Sequence, residues 1–252
     1  MLNVGFINEL RLAEMKRLLP YIPPGSRILE LGAGTGQQAR FLAEHGFEVD
    51  AIDLPQSNYA GHLLFPVRHY DGEHIPLESR SVDVVFSSNV LEHVETMPAV
   101  MAEFHRVLKR SGIGIHVVPT TSWRLWTFVA GAVSSVLAAA RLPRDFVRPP
   151  AHSGRARALA GNLRAIVAGL VPSAHGTSRE GISELWTFSR RAWIGTFKRY
   201  RFDVIEDHPL GLFYSGHMLF AEKLRFRTRE RLGHFLGSAT RVYVVKRSPA
   251  SP

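Results

Sequence analysis

The chain has 252 residues, enough for one large domain or a domain with an insertion, and its 45% hydrophobic content supports a packed core. It contains no cysteine, which excludes disulfides, thiolate metal sites and cysteine nucleophiles. Charge is uneven: residues 1–100 carry 7 basic and 13 acidic side chains, residues 101–252 carry 24 and 9, and the total is +9. A basic second half favours phosphates, anionic lipid or nucleic acid, or is simply a solvated face.

In chain order, Asn3–Leu19 has helical spacing, includes Glu9 and Glu14, and lacks an apolar secretory core, so a cytoplasmic location is the expectation. Arg27–Leu31 is short and apolar and reads as a buried parallel strand. Gly32, Gly34 and Gly36 follow as Gly-x-Gly-x-Gly. Glycine reaches backbone angles other residues avoid and holds no side chain against a ligand. The dinucleotide fingerprint would need a glycine where Gln37 stands, and no Gly-Lys-Ser/Thr is present to make a P-loop. Val49–Leu54 reads as a second strand ending in Asp53, 21 residues after Gly32. A carboxylate there is placed to hold ribose hydroxyls. The first helix is expected over the edge of that cleft.

Further along, Asp71-Gly72 is a turn signal. Ser81–Val94 contains a fourth strand and its exit, Met97–Lys109 has helical spacing, and Gly112 is expected to close that helix. Ile113–Pro119 reads as strand five, Ser189–Tyr200 as the last helix, Phe202–His208 as strand six and Thr240–Lys246 as strand seven.

The string Glu30-Leu-Gly-Ala-Gly-Thr-Gly36 resembles motif I of the class I S-adenosylmethionine-dependent methyltransferases. Glu92-His93 matches a Glu-His pair frequent in the type 11 group of that family. The resemblance covers residues 25–120 closely and resumes more weakly after 189. It implies an α/β, Rossmann-like, doubly wound seven-stranded sheet with the last strand antiparallel. It implies S-adenosylmethionine as cofactor, held by Glu30, Gly32, Ala33, Gly34, Gly36, Asp53, Leu54, Asp71, Gly72, Ser88 and Asn89. Asp53 would bind the ribose, Asp71 would flank the adenine, and Ser88 and Asn89 would contact the methionine part.

About 70 residues separate strand five from the last helix, more than a sheet connection requires. The domain is therefore expected to comprise 1–120 and 179–252, with 121–178 a helical insertion capping the acceptor site. Trp123–Ala140 reads as one helix, with Trp126, Val129, Val133, Val136, Leu137 and Ala140 on one face. Leu142–Pro150 is expected to break it, and Arg155–Leu170 reads as a second, basic amphipathic helix. Leu125–Ala140 is 16 residues without a charge, short of a comfortable bilayer span. The pair can lie in a membrane interface through 123–170, at the inner face of the membrane, or serve as a lid.

Methyl transfer is an in-line attack on a sulfonium, and a hydroxyl nucleophile benefits from a nearby base. His93 and His175 are the candidate catalytic residues. His116 reads as a core residue and His208 as a strand-end residue, while Tyr214 and His217 could line an acceptor pocket but are better read as a core aromatic and a helix-capping residue. No metal-ligand spacing is evident, and no metal is expected. The expected activity is methyl transfer, with oxygen favoured, to a small-molecule or lipid-linked acceptor. The rivals are RNA methylation, less favoured because no RNA-binding module is present, and a non-enzymatic membrane-associated binding protein.

Overall fold

The computed structural model describes residues 4–55, 63–148, 154–170, 174–177, 181–216 and 223–249. Five strands run parallel: β1 (Arg27–Leu31), β2 (Glu48–Asp53), β3 (Val67–His69), β4 (Val82–Ser88) and β5 (Leu108–Pro119). The last strand, β7 (Thr240–Arg247), pairs antiparallel with both β5 and β6 (Phe202–Pro209). The sheet order is β3-β2-β1-β4-β5-β7-β6. The chain winds outward from β1 to β2 and β3, then returns to place β4 on the other side of β1. That reversal opens a crevice beyond the carboxyl ends of β1 and β4, where open α/β sheets bind ligands.

Helices bury both faces of the sheet. On one face α3 (Met97–Val107) and α7 (Arg190–Arg199) pack Met101, Phe104, Trp193 and Phe197 against Leu29, Val85 and Tyr243. On the other, α1 (Val4–Leu18) and α2 (Gln37–Glu44) pack Met15, Leu18, Phe41 and Leu42 against Ile28, Val84 and Phe86. His116 is a core residue, stacked between Phe104 and Phe197 and bonded through Nδ1 to Ser87 Oγ at 2.8 Å. His208 is an exposed residue near the end of β6, its Nε2 2.8 Å from Glu206.

Two local expectations are corrected. First, α3 stops at Val107, and Leu108 turns directly to extended backbone to enter β5. Gly112 is thus not a helix cap. It belongs to the strand's irregular first half, where pairing with β4 slips between Val82↔Leu108 and Val84↔Ile113. Burial of Leu108 in the sheet outweighs the helical spacing of the next two residues. Second, Leu142–Pro150 does not break the helix expected over Trp123–Ala140 before residue 147. Helix α4 runs from Thr121 to Val147 through Pro143. Proline deletes one donor inside a helix. The lost bond lies on an exposed stretch, and α5 (Arg155–Leu170) braces it, with Asn162 Nδ2 donating to Asp145 Oδ2 at 2.9 Å. Helix α1 packs its Phe6 and Leu10 with Trp123, Leu212 and Tyr214, and its Arg11 acts electrostatically on Glu92 and His175.

Tyr214 is likewise a core group: its hydroxyl donates to Glu14 Oε1 at 2.9 Å and accepts from Arg11 at 3.1 Å. His217 lies outside the described residues.

Candidate active site

The turn after β1 is tied to the end of β2. Gly32 N–H and Ala33 N–H both donate to Ile52 O, at 2.9 and 3.1 Å. Gly34 N–H donates to Asp53 Oδ2, and Leu54 N–H donates to Asp53 Oδ1, each at 2.7 Å. Gly32, Gly34 and Gly36 all have positive φ. At Gly32 the need is double: φ is +73°, and a Cβ there would collide with the Val90 side chain. Glycine is required because the β4 exit passes directly over the turn.

This turn forms the floor of a cavity of about 570 Å³, which opens between Gly32, Asp53, Leu54, Asp71, Gly72 and His93. Tyr70, Glu73, Val90, Val94–Thr96 and Val100 complete its walls, and no α1 residue is among them. The structure therefore brings five of the expected cofactor residues and one expected catalytic residue to one space. The remaining six sit around it. Ala33, Gly34 and Gly36 shape the turn. Ser88 and Asn89 follow the end of β4, where Asn89 takes a φ of 55° and its N–H donates to Val117 O at 2.8 Å. Glu30 lies beneath the turn, 1% exposed, and accepts the Ala39 N–H near the start of α2. Its other carboxylate oxygen has no hydrogen-bond partner, and burial raises its pKa to about 8.

Asp71 is exposed on the rim. It accepts the Glu73 and His74 N–H groups at 2.8 and 2.6 Å and faces His74 Nδ1 at 3.0 Å. Those backbone bonds, chiefly that from His74, hold its pKa down at about 2. It is both a turn former and a wall residue.

The 3-10 turn Leu91–His93 carries the Glu-His pair. Although 82 positions apart in sequence, His93 and His175 meet with ring centroids 4.8 Å apart, and Trp123 lies 4.6 Å from the His175 ring. The His175 loop is bolted on by its backbone. His175 and Gly176 N–H both donate to Glu184 Oε1, at 2.7 and 2.8 Å, and Thr177 N–H donates to Glu92 O at 3.0 Å. Glu184 also pairs with Arg124 at 2.8 Å, with both side chains buried. Burial lowers the pKa of both histidines, that of His175 to about 4, so both rings are neutral near pH 7.

Glu92 is the residue that sequence reasoning undervalued. Its carboxylate is buried with neither oxygen hydrogen-bonded, and burial raises its pKa to about 8. It borders a second cavity of about 210 Å³ with Thr177, Trp193 and Thr196. Glu92, His93 and His175 place ligand atoms within 4.8 Å of one another, a set able to hold a cation. Nothing in the spacing of residues 92, 93 and 175 announces this, and Glu184 and Arg124, which hold the loop, carry no motif at all.

Residues 29–115 match the methyltransferase domain family. Over that stretch, about a third of its length, the chain is similar to the class I S-adenosylmethionine-dependent methyltransferases. Among its curated relatives, a sarcosine/dimethylglycine N-methyltransferase of Aphanothece halophytica is 38% identical over 101 residues, covering 36% of each chain. A malonyl-[acyl-carrier protein] O-methyltransferase of Serratia marcescens is 35% identical over 94 residues, covering 36% of this chain and 37% of that enzyme. The chain thus spans little more than a third of the length of these relatives. An S-adenosylmethionine-dependent methyltransferase from Mesorhizobium loti shares the fold with a TM-score of 0.53. It is 15% identical, with 93% of this chain and 98% of that one covered. S-adenosylmethionine is the methyltransferase cofactor, and the donor set suits it: a glycine floor that a side chain would fill, an acid at the β2 end and a roomy cavity.

Proposed function

We propose that the protein methylates a hydroxyl on a small-molecule or lipid-linked acceptor, using S-adenosylmethionine. One observation carries the reading: the cavity floored by Gly32 and Asp53 has His93 in its wall, with His175 packed on that ring. Bound there, S-adenosylmethionine supplies an electrophilic methyl whose sulfonium leaving group needs no acid. In this reading Asp53 accepts from the ribose hydroxyls, Asp71 and Gly72 border the adenine, and Ser88 and Asn89 flank the methionine part.

S-adenosylmethionine would supply the methyl to the acceptor oxygen, and His93 would take up the hydroxyl proton. A neutral imidazole can take it. His175 positions the His93 ring, and Glu184 positions His175. Aligning acceptor and methyl supplies most of the acceleration in such a reaction, and a positioned base adds roughly 10²–10⁴-fold. In this reading the segment from 121 to 178 is an insertion in a domain made of 1–120 and 179–252, and its His175 end reaches the acceptor.

A second reading is favoured by the unpartnered Glu92 carboxylate: a divalent cation on Glu92, His93 and His175 that holds the acceptor oxygen. Chelator treatment separates the two, because only cation-assisted transfer is lost to EDTA and restored by added metal.

The test of the main reading gives the purified protein methyl-labelled S-adenosylmethionine and a fractionated cell extract. Alkali-stable label in an organic or aqueous small-molecule fraction supports it, whereas alkali-labile label marks a methyl ester and replaces the hydroxyl with a carboxylate acceptor. Label on RNA replaces it with the RNA reading. Absence of label from every fraction, with cofactor bound, favours a non-enzymatic binding protein.

A further inference from the structure

The α4–α5 hairpin is built inside out. Its seam is made of small and polar groups. Gly131, Ser135 and Ala138 are buried on α4, Ser135 Oγ donates to Ile166 O at 2.9 Å, and Gly169 sits so close to Gly131 O that a Cβ would collide. The bulky aliphatic residues face away from it: Val129, Val133, Val136 and Leu137 on α4, and Leu163 and Val167 on α5. Val136 is 68% exposed and Val167 59%. A helix pair covering a soluble core buries such residues and exposes the small ones.

The charges are as one-sided as the apolar groups. Arg141, Arg144 and Arg148 continue the α4 stripe in steps of three and four, and Arg155 and Arg157 open α5 beside them. The seam contacts 145 to 162, 135 to 166 and 131 to 169 make the helices antiparallel, so these five arginines gather at one end of the hairpin. All five are exposed, and the sole acid between 121 and 170, Asp145, is buried against Asn162. The opposite end of α4 is anchored in the domain. Trp126 Nε1 donates to Leu236 O at 3.0 Å, Gly216 N–H donates to Thr127 Oγ1 at 2.9 Å, and Arg124 pairs with Glu184.

We infer that this hairpin docks the protein on an anionic phospholipid bilayer, with the aliphatic stripe in the acyl boundary and the arginines on lipid phosphates. By length and composition α4 is, among the described residues, the helix able to cross a membrane. Its anchored first turns and its buried seam with α5 instead make it lie along the surface. A second copy of the chain is the poorer occupant, because two such faces would bring ten arginines together with no exposed acid between. The inference deepens the proposed function: an acceptor carried in the bilayer would be delivered beside His175, which follows the hairpin.

The experiment is vesicle co-sedimentation of the full chain without cofactor, so it reads docking independently of methyl transfer. Phosphatidylglycerol/phosphatidylcholine vesicles are expected to pellet the protein, and pure phosphatidylcholine is not. Arg141, Arg144 and Arg148 changed together to Gln should lower the partition roughly 100-fold, at about fivefold per arginine. Val136→Asp should also lower it, with an unchanged melting temperature showing that the fold is intact. Equal pelleting by both vesicle types, or wild-type binding that all four substitutions leave unchanged, overturns the inference. So does a dimer in vesicle-free buffer that Val136→Asp splits.

Discussion

Asp53 and Gly34 are hydrogen-bonded to each other, carboxylate to backbone N–H at 2.7 Å. The end of β2 therefore fixes the middle of the glycine turn, and one carboxylate both shapes the cofactor floor and faces the cavity. Asp53→Ala should weaken S-adenosylmethionine binding roughly 10- to 100-fold, the range for hydrogen bonds to a charged group. Equilibrium dialysis measures it, with circular dichroism as the fold control. Unchanged affinity would remove Asp53 from the ribose site.

His93→Ala should lower turnover roughly 10²–10⁴-fold while cofactor affinity stays within a few-fold of wild type. Single-turnover kinetics beside a binding titration separates the two quantities. Equal losses in both would make His93 a wall residue rather than a base.

Glu184→Ala strands the buried Arg124 charge and frees two backbone N–H groups in the His175 loop. Breaking a buried pair costs about 3–5 kcal/mol, readable by urea denaturation. Arg124→Met with Glu184→Leu should recover much of that stability, because an apolar pair removes the unpaired charge. It should not recover turnover, since the His175 loop still lacks its acceptor. Recovery of both would mean that the pair acts only through stability.

Glu30 gives a pH dependence with a definite sign. Its pKa is about 8 folded, against an ordinary 4.5, so between those values the folded state holds a proton that the unfolded state has released. Its contribution to stability is fully present below 4.5 and is lost as pH rises through about 8. Buried Glu92, shifted the same way, adds to the slope. Glu30→Gln should therefore lose less melting temperature than wild type between pH 6.5 and 8.5. His116, depressed to about 3, acts oppositely and only at acid pH: as pH falls below 6.5 the unfolded state alone takes its proton. Identical thermal profiles for wild type and Glu30→Gln would contradict the buried-carboxyl account.

Residues whose roles follow from local geometry were legible in the sequence. The glycine turn, Asp53 and the alternation of strand and helix are short-range patterns, and they placed β1, β2, β6 and β7 to within a residue, whereas β5 begins at Leu108 rather than Ile113. Gly112 misled because a basic helix end followed by glycine is a sound cap signal that says nothing of the sheet waiting to bury Leu108. The insertion misled in a different way. Periodicity revealed that Val129, Val133 and Val136 share a face, yet it cannot say whether that face turns inward, and here the seam belongs to Gly131 and Ser135. The His93–His175 meeting was beyond reach, because it depends on Glu184 gripping a loop across the fold. Glu30 shows the limit of motif transfer: its position was plain, while its burial beneath the turn required the structure.

The cavity beyond β1 and β4 is the proposed seat of S-adenosylmethionine. Isothermal titration of the full chain with S-adenosylmethionine tests it most directly. A saturable single-site isotherm that S-adenosylhomocysteine competes away is expected. A flat titration with correctly folded protein would contradict it.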